Sequence, residues 1–187
     1  IEGMNSLARR SIQTVFYENL NALIRLLTPI IPHTTEEVYF HAKISKKQDS
    51  VYLLSMPATM KYANSNELLL KYRAFMDVRD DILKALELAR NEKVIGKSLS
   101  AKVVLKPINK VKALLDTLKI DLKQVSIVSE FVLTEENIEG ISLDSGTFDV
   151  KAREGVMCSR CWQVVDHIND DELCERCNNV VKNQEGK

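Results

Sequence analysis

A chain of 187 residues has room for one large domain or two to three small ones, and its 45% hydrophobic and 28% charged residues are the balance of an ordinary globular fold. Lys and Arg total 26, as do Asp and Glu, so no global basic field advertises a polyanion; a slight positive excess lies in the first hundred residues. No apolar run approaches the ~20 residues that cross a bilayer, and the start, Ile1-Glu2-Gly3-Met4, has no initiator Met and no basic segment leading into an apolar core, so the chain reads as a fragment or processed product without a signal peptide.

Over residues 5–27, Ile12, Val15, Phe16, Leu20, Leu23, Ile24 and Leu27 recur at three- and four-residue steps, with Arg9, Arg10, Gln13, Glu18, Asn21 and Arg25 on the other face. This spacing predicts a helix. Thr28-Pro29 ends it, because the residue before a proline is pushed out of the helical region. Pro32 is expected to keep the connection extended, and Thr34-Thr35-Glu36-Glu37 has the form of a capping box opening a short helix over 36–42. Lys46, Lys47, Gln48 and Asp49 make a solvated loop. The apolar run 51–54 reads equally as a strand or as chain packed on helices. A second long helix is expected over 65–94, with Leu69, Tyr72, Phe75, Met76, Ile82, Leu83, Leu86 and Ala89 on one broad face and Gly96 as its left-handed terminator. The two long helices are expected to pack antiparallel.

After Gly96 the period falls from about 3.6 to 2. Strands are expected at 101–105, 125–133 and 148–151, the last after the Asp144-Ser145-Gly146 turn, with a compact helix at 111–118. Residues 155–187 are too few to bury a sizeable core. All four cysteines lie there, as Cys158-x2-Cys161 and Cys174-x2-Cys177, separated by 12 residues. A disulfide framework would spread its cysteines over the domain it staples. Two such pairs match a structural zinc site: each turn presents two thiolates, and four sulfurs leave no position open for water. Redox dithiols or disulfides are the alternative. Zinc requires reduced thiols, which implies the cytoplasm. The fold expected is α+β and multi-domain: a helical bundle over 1–96, a small α/β subdomain over 97–154 and a zinc knuckle or ribbon over 155–187.

No group of residues has the look of an active site. His33 adjoins Pro32 and His41 ends a helix. His167 lies between the cysteine pairs, where the tetrahedron is already filled. No glycine cluster cradles a phosphate. Trp162, the only tryptophan, follows Cys161 directly. It is either a hydrophobic lid over the metal or a solvent-facing platform for an unpaired base. Arg160 and Arg176 occupy the same interior position in the two pairs, either as solvated side chains or as grips on phosphate or base.

Three segments carry a family resemblance. Arg79-Asp80-Asp81-Ile82-Leu83-Lys84-Ala85-Leu86, continuing to Lys97-Ser98-Leu99, closely resembles the C-terminal region of bacterial isoleucyl-tRNA synthetases. Arg9-Arg10-Ser11-Ile12-Gln13-Thr14, followed by Pro29-Ile30-Ile31-Pro32-His33-Thr34-Thr35-Glu36-Glu37-Val38-Tyr39, resembles a class I synthetase anticodon-binding bundle. Cys158-Ser159-Arg160-Cys161-Trp162 with Leu173-Cys174-Glu175-Arg176-Cys177 is similar to that family's C-terminal zinc-binding domain. The resemblance implies the tRNA-binding end of an enzyme that attaches isoleucine to its tRNA using ATP and Mg2+. It implies one structural zinc on Cys158, Cys161, Cys174 and Cys177, and Arg160, Trp162 and Arg176 as tRNA contacts. The ATP-handling signatures and the inserted editing domain are absent from this stretch, so it is expected to be non-catalytic, with its bundle truncated on the N-terminal side. The expected partners are isoleucine-specific tRNA, read at the anticodon stem-loop, and the upstream catalytic domain of the same chain; a monomer with no membrane contact is expected. The alternative is a zinc-stabilised protein-interaction module without RNA binding.

Overall fold

The computed structural model describes residues 2–44, 47–59 and 62–185, with only the backbone of 184 and 185; Lys46 of the expected loop lies outside the described residues. The chain is α+β, with six α-helices and two sheets among the described residues. Its contacts divide it into two compact units, residues 2–62 and the residues from Ala63 on.

In the first unit, α1 (Leu7–Leu27) opens at Ser6, whose Oγ accepts the Arg9 N–H at 3.3 Å. It closes at Thr28, whose hydroxyl donates back to the Ile24 carbonyl at 2.7 Å. Helix α2 (Pro32–His41) starts four residues ahead of the expected Glu36, and no side chain caps it. Pro32 holds the first turn, where its fixed φ suits a helix and its missing N–H would have had no partner. The Thr35 hydroxyl is inside the helix and donates to the Ile31 and Pro32 carbonyls at 3.1 and 3.0 Å. Val51–Leu53 is a single 3-10 turn, not a strand. The Glu36 carboxylate pins it, accepting from Ser50 Oγ and from the Val51 N–H, both at 3.0 Å. Ile24, Tyr39 and Val51 form the small core of this unit. Of α1 only Ile24 is buried, while Leu7, Phe16, Leu20 and Leu23 remain between 39% and 82% exposed.

The second unit is built on α3 (Ser65–Asn91), whose buried residues Phe75, Val78, Ile82, Ala85, Leu86 and Ala89 follow the helical period. Lys93, at φ 61°, makes the left-handed turn at its end, ahead of the expected Gly96. The Val94 N–H then donates to the Ala89 carbonyl at 2.9 Å and closes the helix. There follow β1 (Ala101–Pro107), α4 (Asn109–Leu118), α5 (Leu122–Ser126), β2 (Glu130–Leu133), β3 (Ile141–Leu143) and β4 (Gly146–Ala152). They make a mixed sheet in the order β2-β1-β4-β3, with β2 parallel to β1 and the other pairs antiparallel. The expected strand over 125–133 is strand only in its second half. Asp121 Oδ1 accepts the Gln124 N–H at 3.1 Å, and this cap starts a short helix through Ser126.

Ala101, Val103 and Leu105 of β1 and Phe148 and Val150 of β4 share one core with α3, α4 and α5, so these helices cover one face of the sheet. Asp81 ties α3 to the β3–β4 turn: its Oδ2 accepts the Ser145 N–H at 2.8 Å and the Ser145 hydroxyl at 2.5 Å. Gly146, at φ 146°, lets that turn close, since a Cβ there would stand 2.2 Å from the Lys106 carbonyl oxygen. A two-stranded ribbon, β5 (Val156–Met157) with β6 (Val164–Val165), and α6 (Glu175–Glu185) complete the unit. No described helix is long and apolar enough to cross a membrane.

Candidate metal centre and nucleic-acid interface

The ribbon delivers the first cysteine pair. Gly155, at φ 138°, carries the chain from the sheet into β5, where a Cβ would meet the Val165 carbonyl oxygen at 2.3 Å. The Cys158 N–H donates to the Gln163 carbonyl at 3.0 Å and the Trp162 N–H to the Cys158 carbonyl at 2.9 Å. These bonds fold Cys161 back beside Cys158. The second pair is presented by a helix: Cys174 immediately precedes α6 and Cys177 lies in its first turn. Asn169 shapes the loop ahead of it. Its Oδ1 accepts the Leu173 N–H at 2.8 Å, and its Nδ2 donates to Asn178 Oδ1 at 3.2 Å.

The four sulfur atoms lie within 4.8 Å of one another, and all four cysteines are buried free thiols. Cys161 Sγ and Cys174 Sγ are 3.8 Å apart. A disulfide needs about 2.05 Å, whereas a tetrahedron with metal–sulfur bonds of about 2.3 Å has edges of about 3.8 Å. The donor set therefore fits a soft, tetrahedral metal ion and not a pair of disulfides. Burial pushes the Cys158 thiol up, but the backbone N–H groups of Cys161, Cys174 and Arg160 aimed at its sulfur outweigh it and bring it down to about 6. The Cys174 N–H approaches that sulfur at 3.3 Å. Burial, with the neighbouring thiols, pushes Cys174 up to about 12. A cation among the sulfurs favours the thiolate form of each.

Arg160 is half-buried, and its Nη1 donates to Cys177 Sγ at 3.6 Å, so this guanidinium braces one cysteine pair against the other. Arg176 is exposed and lines a groove beside Cys174 with Lys123, Gln163, Asp166 and His167. His167 stands outside the sulfur cluster. Trp162 is 62% exposed, whereas Val165 and Leu173 are partly buried hydrophobics packed on the cluster. A lid requires a buried indole, and this one is open. Its backbone is left-handed, at φ 61°. That region costs a residue with a Cβ roughly 1–2 kcal/mol and is ordinarily occupied by glycine.

Two residues that support the site carried no motif in the sequence. The buried Ser129 hydroxyl accepts the Val164 N–H at 2.7 Å. Arg153 joins Glu130 to Asp166, at 2.5 Å each. Both contacts bridge segments far apart in sequence, and a serine or arginine at a strand end has no local signature.

A family model described as the anticodon-binding domain of tRNA ligase matches residues 1–105. An isoleucine–tRNA ligase of Geobacillus thermodenitrificans is 46% identical over 191 residues, which cover 97% of this chain and 21% of that protein. Isoleucine–tRNA ligases of Bacillus mycoides and Lactobacillus acidophilus are 45% and 44% identical over 190 residues, covering 97% of this chain and 20% of each relative. The chain thus spans about a fifth of the length of the relatives it matches.

Proposed function

Because this chain belongs to the anticodon-binding domain family of tRNA ligases, we propose that it is the tRNA-binding, C-terminal portion of an isoleucine–tRNA ligase, a class I aminoacyl-tRNA synthetase of the cytoplasm. The observation that carries the reading is 44–46% identity to isoleucine–tRNA ligases along 97% of the chain. On this reading the whole enzyme joins isoleucine to its tRNA with ATP and Mg2+, which are handled upstream, and the present stretch binds without catalysing. We assign residues 1–96 to the helical anticodon-binding region, 97–154 to an α/β connector and 155–187 to the metal-binding part. Helix α3 belongs to the first by sequence and packs on the second. The open apolar stripe of α1 supports the upstream part of the same chain as a partner; no second copy of the chain is needed.

Cys158, Cys161, Cys174 and Cys177 hold one zinc ion, whose contribution is to balance thiolate charge and cross-link the two turns. The chain's own residues make the contact with RNA. Only unpaired bases of a loop can be splayed out and stacked on a side chain. Trp162 offers an exposed indole directly after the Cys158–Cys161 turn, its N–H bonded to the Cys158 carbonyl, and such stacking is worth ~1–3 kcal/mol per base. Arg176 and Arg160 supply the positive charge that meets phosphate. A filter-binding titration of this chain with isoleucine tRNA tests the reading. Saturable binding that weakens with salt is expected. A chain that keeps its zinc yet leaves the tRNA unbound is the protein-interaction module instead.

A further inference from the structure

The metal-bearing ribbon is held by more than its covalent link to β4. Ser129, immediately before β2, is 4% exposed. Its hydroxyl accepts the Val164 N–H at 2.7 Å and donates to the Leu99 carbonyl. Its own N–H donates to the Ala101 carbonyl at 3.1 Å, so the serine is fixed to β1 before it grips the ribbon. The next residue, Glu130, receives Arg153 Nε at 2.5 Å, and Arg153 Nη2 reaches Asp166 Oδ1 at 2.5 Å. The Arg153 N–H donates to the Ser100 carbonyl at 2.7 Å. The start of β2 thereby holds the ribbon at two points, directly at Val164 in β6 and through Arg153 at Asp166 just beyond it.

These two points matter because of where they fall. Val164 is two residues beyond Trp162, on the strand that returns from the cysteine turn. The ribbon has two residues per strand, and so short a hairpin does not fix its own direction in water. The metal locks the two turns to each other but not to the sheet. The Ser129 side chain is buried and Val164 half-buried, so losing this bond would leave the Val164 N–H without its partner on the sheet. The Arg153 side chain is 19% exposed and Glu130 27%, whereas Asp166 is 71% exposed and is the weaker link.

We propose that Ser129, assisted by Arg153, is a positioning residue that sets the direction in which the metal module presents Trp162, so that the sheet aims the RNA contact. The proposal rests on the RNA-binding reading of Trp162; Ser129 itself touches no RNA.

Trp162 is the only tryptophan in the chain, so time-resolved fluorescence anisotropy reads its motion without a label. The test compares the chain with its Ser129→Ala, Ser129→Thr and Arg153→Gln variants by zinc content, Trp162 anisotropy without RNA, and filter binding of isoleucine tRNA. Ser129→Ala is expected to keep its zinc, gain a nanosecond wobble at Trp162 and bind tRNA roughly tenfold more weakly. Ser129→Thr keeps the hydroxyl and behaves as the parent chain, and Arg153→Gln falls between the two. Parental anisotropy in a zinc-loaded Ser129→Ala overturns the proposal, as does an equal loss in Ser129→Thr. Should Ser129→Ala not fold, Arg153→Gln decides by the same readouts, and unchanged wobble there overturns it. Unchanged tRNA affinity in Trp162→Gly removes the RNA reading and this proposal with it. The wobble is measured without RNA, so the two failures are told apart.

Discussion

Trp162 brings together a cost and an opening at one residue. A large side chain occupies a left-handed position and is left 62% in solvent, where it contributes little to the cluster beside it. Trp162→Gly therefore separates two accounts that an alanine variant would blur, since alanine would retain the backbone strain. We expect this variant to hold its zinc and to be as stable as the parent, or up to ~1 kcal/mol more stable, because glycine relaxes the turn. We also expect its affinity for isoleucine tRNA to fall by ~1–3 kcal/mol. Thermal melts and filter binding measure the two effects, which run in opposite directions. A lower melting temperature with zinc loss and unchanged tRNA affinity would restore the lid. Arg160→Ala is a poorer probe, because it also removes a donor from Cys177 Sγ.

Among the elements, the sulfur cluster and the sheet core are separate bodies of buried side chains, the first with Val165 and Leu173 as the partly buried hydrophobics packed on it among the described residues. Without metal, the stretch from β5 to α6 has little apolar surface with which to offset its chain entropy. Chelation is expected to strip amide-exchange protection from residues 156–185 while α3, β1 and β4 keep theirs. Loss of protection in both at once would show a single cooperative unit. The elements readable from sequence are those whose period persists, α1, α3, α4, β1 and β4. Three departures share a cause: a capping or chain-turning residue outweighed the local pattern. Pro32 served as a helix start. The Asp121 cap drew residues 122–126 out of an alternating run into α5, which ends at Ile127 with φ 56°. Lys93, not Gly96, took the left-handed turn. The two-residue strands β5 and β6 are too short for any period to register. The cysteines were legible because metal ligation needs fixed spacing; Ser129 and Arg153 were not, because their roles exist only once distant segments meet.

At the scale of the whole molecule, zero net charge means that the proposed RNA binding would depend on local features and not on a global basic field. The sheet holds the ribbon, the ribbon and α6 converge four sulfurs, and the turn they fix exposes one indole. On the proposed function, Trp162 stacks on an unpaired base of the anticodon loop. Because the chain has one tryptophan, its intrinsic fluorescence reports that residue alone. Titrating the zinc-loaded chain with the anticodon stem-loop hairpin of isoleucine tRNA should quench Trp162 emission saturably, and a fully paired RNA duplex of equal length should not. Saturable binding of the hairpin with Trp162 emission unchanged, or no binding at all, would contradict the account.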